Sequence, residues 1–305
     1  MQSRSDLEER FGIPGVVRFE ETPGGLVRAV VTSSAAEAEV YLQGAHVARW
    51  TPRGERPALF LSERSEFLPG KAIRGGVPVI FPWFGPRGGG LPGPSHGFAR
   101  TAIWTLEETT MLENGSAETG PVTMLFTLEP DEVSRGFGYR DFLLRYRVTV
   151  SARLELELEV RHDGSEPFTY EQALHSYFAV ADIGQVAVSG LAGTTYIDKV
   201  DGYRPKVQQE EPLRFSGETD QVHLHTQAKC VIYDAGWERR IAVEKSGSAS
   251  TVTWNPWAEK TLGLKDMEPD GWRGMVCVET ANVADDAVTL PPGATHTMRT
   301  VIRIE

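Results

Sequence analysis

Glu279 interrupts the apolar run "GMVCVETANV" and His175 interrupts "ALHSYFAV". An ionised carboxylate in an apolar strand is costly unless it is paired, hydrogen-bonded or shifted in pKa. A histidine near its reference pKa of about 6.5 and a carboxyl tuned upward by burial can trade protons at neutral pH, which is general acid–base chemistry. Each residue also has a plainer reading. His175 could be a satisfied core histidine. Glu279 could be half of a buried ion pair with an arginine, although its strand offers no basic neighbour.

A second group lies in "KAIRGGVPVIFPWFGPRGGGLPGPSHGFAR", Lys71 to Arg100. Arg74 and Arg100 offer planar forks for phosphate or carboxylate oxygens. His96, Trp83 and Phe84 add a polar ring and two aromatic faces, which suit the C–H faces of a sugar. The alternative is that the aromatic residues are core and the arginines surface charges. "HLH" (His223, His225) would put two imidazoles on one strand face, but a metal site needs further ligands. "TTYIDKVDGY" carries Tyr196, Asp198, Lys199 and Asp201, which also reads as an ordinary polar loop. There is no Walker loop, no dinucleotide-binding glycine fingerprint and no Gly-x-Ser-x-Gly elbow.

The elements that must position these residues are overwhelmingly strands. In "RLELELEV", Leu154, Leu156, Leu158 and Val160 face one way and Glu155, Glu157 and Glu159 the other, the mark of a half-buried antiparallel strand whose glutamates are solvated. "LVRAVVTSS", "AEAEVYL", "AIWTLEE", "VTMLFTLEP", "AKCVIYDA", "IAVEKS", "TVTWN" and "HTMRTVIRIE" read as further strands, punctuated by Gly, Pro, Asn and Asp. Asn255-Pro256-Trp257 reads as a turn. In the Glu279 strand, alternation places Cys277 and Glu279 on one face and Val276 and Val278 on the other. One short helix is expected at the N-terminus, with Ser5 and Glu8 as a capping box, Leu7 and Phe11 four apart, and Gly12 ending it. The Gly- and Pro-rich stretch from Gly85 to Ser95 lies between motif-bearing segments and reads as a functional loop rather than a linker. The expected fold is all-β: a large antiparallel β-sandwich, residues 1–305 forming a single domain.

Bulk composition limits the function. The chain has 305 residues and a formal charge of −11, which argues against non-specific nucleic-acid binding and against docking on acidic membranes. An anionic ligand would therefore need a local cluster of basic side chains. Two cysteines, Cys230 and Cys277, make no disulfide framework and no cysteine-based zinc motif. The first residues lack the apolar core of a signal peptide, and no apolar run approaches the ~20 residues of a membrane span, so a cytoplasmic location is expected.

Six segments in order, "AIRGGVPVIFPWFG", "SHGFAR", "ALHSYFAV", "YIDKVDG", "VTWNPWAEK" and "VCVETANV", resemble the glucose-6-phosphate 1-epimerase family (hexose-6-phosphate mutarotases), relatives of aldose 1-epimerase. The resemblance implies a galactose mutarotase-like β-supersandwich with a carbohydrate-binding cleft and neither metal nor organic cofactor. It implies His175 as general acid and Glu279 as general base, His96 on the sugar oxygens, Arg74 and Arg100 near the phosphate, and Asp198 as a hydroxyl contact. The implied partner is a small-molecule sugar phosphate, with the protein a monomer. The Gly-rich insert between Phe84 and His96 departs from the family's shorter spacing and bears on sugar preference. Rival readings are an epimerase of unphosphorylated aldoses, a non-catalytic sugar-phosphate binding protein and, less well supported for want of a second anomalous carboxylate, a glycosidase.

Overall fold

The computed structural model describes residues 2–113, 119–209 and 211–305. Its strands form antiparallel ladders in three principal sheets of four, eight and nine strands, plus a two-stranded ribbon. The nine-stranded sheet holds the alternating segment Arg153–His162, flanked by Phe142–Val150 and Thr295–Ile304. Leu154, Leu156, Leu158 and Val160 are fully buried. Their alternate glutamates face outward as expected, but in cross-strand pairs: Glu155 with Arg299, Glu157 with Arg147 and Glu159 with Arg145.

The eight-stranded sheet carries the chemistry. Its order runs Arg204–Val207, Thr195–Asp198, Thr219–His223, Ser250–Asn255, Met275–Asn282, Gln172–Leu174 and Val79–Ile80, with Tyr177–Ala179 also paired to Met275–Asn282. Val276 and Val278 join the same buried cluster as Leu154, Leu156, Leu158 and Val160, so this face of the sheet packs on the nine-stranded sheet. Met275 and Cys277 instead cluster with Tyr177, Trp254 and Met267 on the other face. The alternation read for Glu279's strand is thus observed, and the two sheets sandwich a common core.

The N-terminal helix, Arg4–Phe11, differs in its cap. Ser3, not Ser5, is the N-cap, its hydroxyl accepting from the Asp6 amide at 3.2 Å. Glu8 turns away to accept from the Phe19 amide at 2.7 Å, which ties the helix to the first strand instead of closing a capping box. Leu7 and Phe11 are buried as expected, and the Gly12 amide donates back to the Glu8 carbonyl. Asn255-Pro256-Trp257 opens a short helix, Trp257–Thr261, because the Asn255 side chain accepts from the Trp257 amide and donates to the Trp272 and Met275 carbonyls. Among the described residues no helix is long and apolar enough to cross a membrane.

Candidate active site

Register brings His175 and Glu279 together. Leu174 pairs with Thr280 and Tyr177 with Cys277. The antiparallel count between those pairs sets His175 opposite Glu279 and Ser176 opposite Val278. The ladder is interrupted there, since the His175 amide donates to the Pro78 carbonyl at 3.0 Å. The same register continues across the next strands. Cys277 faces Trp254, which faces Asp220, while Glu279 faces Val252, which faces Val222. Directly opposed residues share a face, so Asp220, Trp254, Tyr177, His175 and Glu279 all project from the side away from the sandwich core.

These side chains line a cavity of about 410 Å³, together with Arg74, Phe84, His96, Arg100, Lys199 and Lys260. That volume falls in the range of small-molecule sites. His175 Nδ1 lies 3.3 Å from Glu279 Oε1, with side chains only 7% and 1% exposed. The approach lacks hydrogen-bond alignment, and neither carboxylate oxygen has a hydrogen-bond partner among the described residues. Both side chains therefore keep unmet hydrogen-bonding capacity beside the cavity they line.

Burial governs their protonation. It pushes the Glu279 carboxyl well up, reinforced by Asp220 and opposed by Lys199. It pushes the His175 imidazole well down, reinforced by His96, Arg100, Arg74 and Lys199. The pair at neutral pH thus holds one proton, with desolvation favouring the carboxyl as its seat. His96 is also held neutral by burial and by Arg100, Lys199 and Arg74. Its Nδ1 accepts from the Gly85 amide at 3.2 Å, which leaves Nε2 as the ring's donor. His96 adopts φ of +65°, an uncommon left-handed conformation for a non-glycine residue. The next residue, Gly97, has φ of +71°, and a Cβ there would meet the Phe81 carbonyl oxygen at 2.0 Å. Only glycine fits this close approach, which holds His96 over the cleft.

Of the four basic residues lining the cavity, three carry acidic partners. Arg74 pairs with Asp266 at 3.0 Å, Lys199 with Asp220 at 3.0 Å and Lys260 with Glu218 at 2.6 Å. Arg100 has no acidic partner among the described residues; its Nη2 donates to the Ser95 carbonyl at 2.8 Å.

The family model for aldose 1-epimerase matches residues 29–303. The chain belongs to the aldose 1-epimerase family. A Salmonella typhimurium protein named "Putative glucose-6-phosphate 1-epimerase" is 40% identical over 82% of this chain and 81% of its own. A protein of the same name from Cenchrus ciliaris is 33% identical over 90% of this chain and 83% of its own. The crystal structure of a "putative mutarotase" from Salmonella typhimurium superposes with a TM-score of 0.87 at 35% identity, covering 96% of this chain and 95% of that one. The fold is accordingly the galactose mutarotase-like β-sandwich, and as an aldose 1-epimerase family member the protein is an isomerase.

Within this epimerase-family cleft, five of the six residues singled out in the sequence come together: His175, Glu279, Arg74, His96 and Arg100. Asp198 does not. It pairs with Gln221, which pairs with Thr253, which pairs with the core-facing Val278, so its side chain leaves the sheet on the other face. Its carboxylate accepts from Lys206 at 2.7 Å and from the Val200 and Asp201 amides. The acid that lines the cavity besides Glu279 is Asp220, and Lys199, one residue beyond Asp198, reaches it. Asp220 carried no local signal, because "ETDQVH" is unremarkable until four strands are placed side by side. Trp254 was also visible only as part of a strand. Of the two aromatic residues expected to face a sugar, Phe84 lines the cavity; Trp83 is packed against Phe98, Phe137 and Tyr139. Gly85, Pro86 and Ser95 line the cavity, so the two ends of the Gly-rich stretch reach it. His223 and His225 diverge: the strand ends at His223, which is buried, while His225 is exposed and bonded to Asp286. Among the described residues no group of His, Cys, Asp and Glu is placed to hold a metal ion.

Proposed function

We propose that this cleft interconverts the α and β anomers of a hexose 6-phosphate, with glucose 6-phosphate as the leading substrate. The observation that carries the proposal is Arg100, a cation without an acidic partner among the described residues, in the same cavity as the His175–Glu279 pair. A phosphate dianion satisfies that charge, and Arg74 supplies a second fork beside it. The relatives' names support the same substrate class.

Ring opening requires one proton to reach the ring oxygen while another leaves the C1 hydroxyl. Both oxygens are bonded to one carbon, so an acid and a base side by side suit the reaction better than a pair facing each other across the sugar. The 3.3 Å spacing of His175 and Glu279 is of that kind. The pair's single proton suffices. In the direction given by family resemblance, the proton passes from Glu279 to His175, after which His175 donates to the ring oxygen and Glu279 accepts from the C1 hydroxyl. The linear aldehyde turns about C1–C2, and reclosure returns the proton with the roles reversed. Nothing is oxidised or reduced, and no covalent enzyme intermediate forms. His96 Nε2 and Asp220 offer a donor and an acceptor for the sugar's oxygens, and the Trp254 and Phe84 rings offer apolar faces. Phosphate binding away from C1 fixes the ring against the pair.

The test is polarimetry on freshly dissolved α-glucose 6-phosphate and α-glucose, with His175→Ala and Glu279→Gln as controls. Faster wild-type equilibration of the phosphorylated sugar supports the proposal. A preference for glucose would establish the unphosphorylated aldose as substrate. Wild-type rates no better than those of the two variants would leave the cleft a binding site only.

A further inference from the structure

We propose that Tyr177 is a positioning residue that ties Arg74 to His175, so that the anion-binding end of the cleft seats the acid–base ring. The inference rests on reading the cleft as a hexose 6-phosphate site. Its basis is a continuous chain of contacts. The Tyr177 hydroxyl accepts from Arg74 Nη1 at 3.1 Å. Its ring stacks on the His175 imidazole, with centroids 4.6 Å apart and planes 9° apart. The stack follows from the backbone, because residues 175 and 177 share a strand face.

Both ends of the chain are held. Arg74 donates to Asp266 through Nε and Nη2, each at 3.2 Å, so the third arm of the guanidinium is left for Tyr177. Trp254 meets both rings edge-on, at 6.0 Å from His175 and 5.9 Å from Tyr177. His96 meets His175 edge-on at 5.6 Å. With three rings against it, the imidazole has little freedom to turn except with Tyr177. An anion that draws Arg74 acts on the tyrosine hydroxyl, and through the stack on the orientation of His175 toward Glu279. Phosphate binding would thus favour reaction as well as affinity, which simple anchoring does not require.

Two variants separate the parts. Tyr177→Phe keeps the stack and removes the hydroxyl; Tyr177→Leu removes the stack. Anomerisation kinetics are measured on α-glucose 6-phosphate and α-glucose. The expected result for Tyr177→Phe is a fall of about three- to tenfold in kcat for the phosphorylated sugar, larger than any change for glucose. For Tyr177→Leu it is a loss of roughly ten- to a hundredfold in kcat on both sugars, with a displaced acid limb of the pH profile. Equal effects of Tyr177→Phe on both sugars, or full kcat and an unmoved pH profile in folded Tyr177→Leu, would overturn the proposal. If the wild-type protein shows no turnover, the substrate reading fails by itself and the coupling is decided by NMR. The His175 imidazole resonances, assigned with His175→Gln, are followed as inorganic phosphate is added. A shift in the wild type that is diminished in Tyr177→Phe supports the coupling, and equal shifts refute it.

Discussion

His175 stands directly opposite Glu279 in an antiparallel register, and the two side chains meet at 3.3 Å on the face of the sheet turned away from the sandwich core. The backbone, rather than a flexible side-chain search, brings the proposed acid–base pair together. Rigid placement of this kind lets a pair act without reorganising at the moment of reaction.

Removing either member should abolish most of the catalysis. General acid–base groups contribute roughly 10²- to 10⁴-fold, and Glu279→Gln and His175→Ala should each lose kcat within that range. The double variant should lose little more than the worse single one, because the pair works as a unit. Polarimetric progress curves at saturating substrate, corrected for spontaneous anomerisation, measure both.

Activity should span a wide pH plateau. The working pair carries one proton, lost when pH rises above Glu279's raised pKa and doubled when pH falls below His175's depressed one. The acid limb should therefore lie below the ordinary histidine value of about 6.5. His96, Arg100, Arg74 and Lys199 help to hold His175 down. A bound phosphate offsets those cations and raises the imidazole pKa, so the acid limb of kcat should lie at higher pH with glucose 6-phosphate than with glucose. Identical limbs would contradict phosphate binding beside Arg100.

Arg100→Ala should weaken glucose 6-phosphate binding more than Arg74→Ala does, since Arg74's charge is already met by Asp266. Loss of a charged hydrogen bond is worth about 1.5–3 kcal/mol, an increase in Kd of about ten- to a hundredfold. Added salt should weaken phosphorylated-sugar binding in the wild type and do so less in Arg100→Ala. Calorimetric titration across a salt series decides this.

Core and outer positions of one strand should respond differently. Leu158 is fully buried between Tyr146 and Met298 on the neighbouring strands. Leu158→Ala should cost about 2–5 kcal/mol through lost burial and the cavity it leaves. Glu157 is 41% exposed and lies 3.8 Å from Arg147. Glu157→Ala should change stability by less than about 1 kcal/mol. Urea unfolding curves compare the two.

Much of the site could be read before any fold was known, because an ionisable residue in an apolar strand is conspicuous locally. Glu279 and His175 both stood out in this way, and Arg74, His96 and Arg100 stood beside glycines and aromatic residues. Asp198 misled for the complementary reason. It is polar and sits in a recognisable segment, but strand alternation turns it toward Lys206, and the side chain that lines the cavity is its neighbour Lys199. Asp220 and Trp254 gave no warning, since nothing in their own segments shows which residues will lie across from them.

By itself, then, the sequence determined what a period of two can determine: that the chain is built of strands, that Leu154 to Val160 faces a core, and that Glu279 lies on the opposite face from Val276 and Val278. Such facts depend on near neighbours along the chain. The tertiary structure alone decided register and partnership: that residue 175 meets residue 279, that Tyr177 joins Arg74 to His175, and that Asp266, Asp220 and Glu218 satisfy three cations while Arg100 has no acidic partner among the described residues. Those depend on which distant strands pair and at what offset, and a slip of one residue would have turned Glu279 into the core.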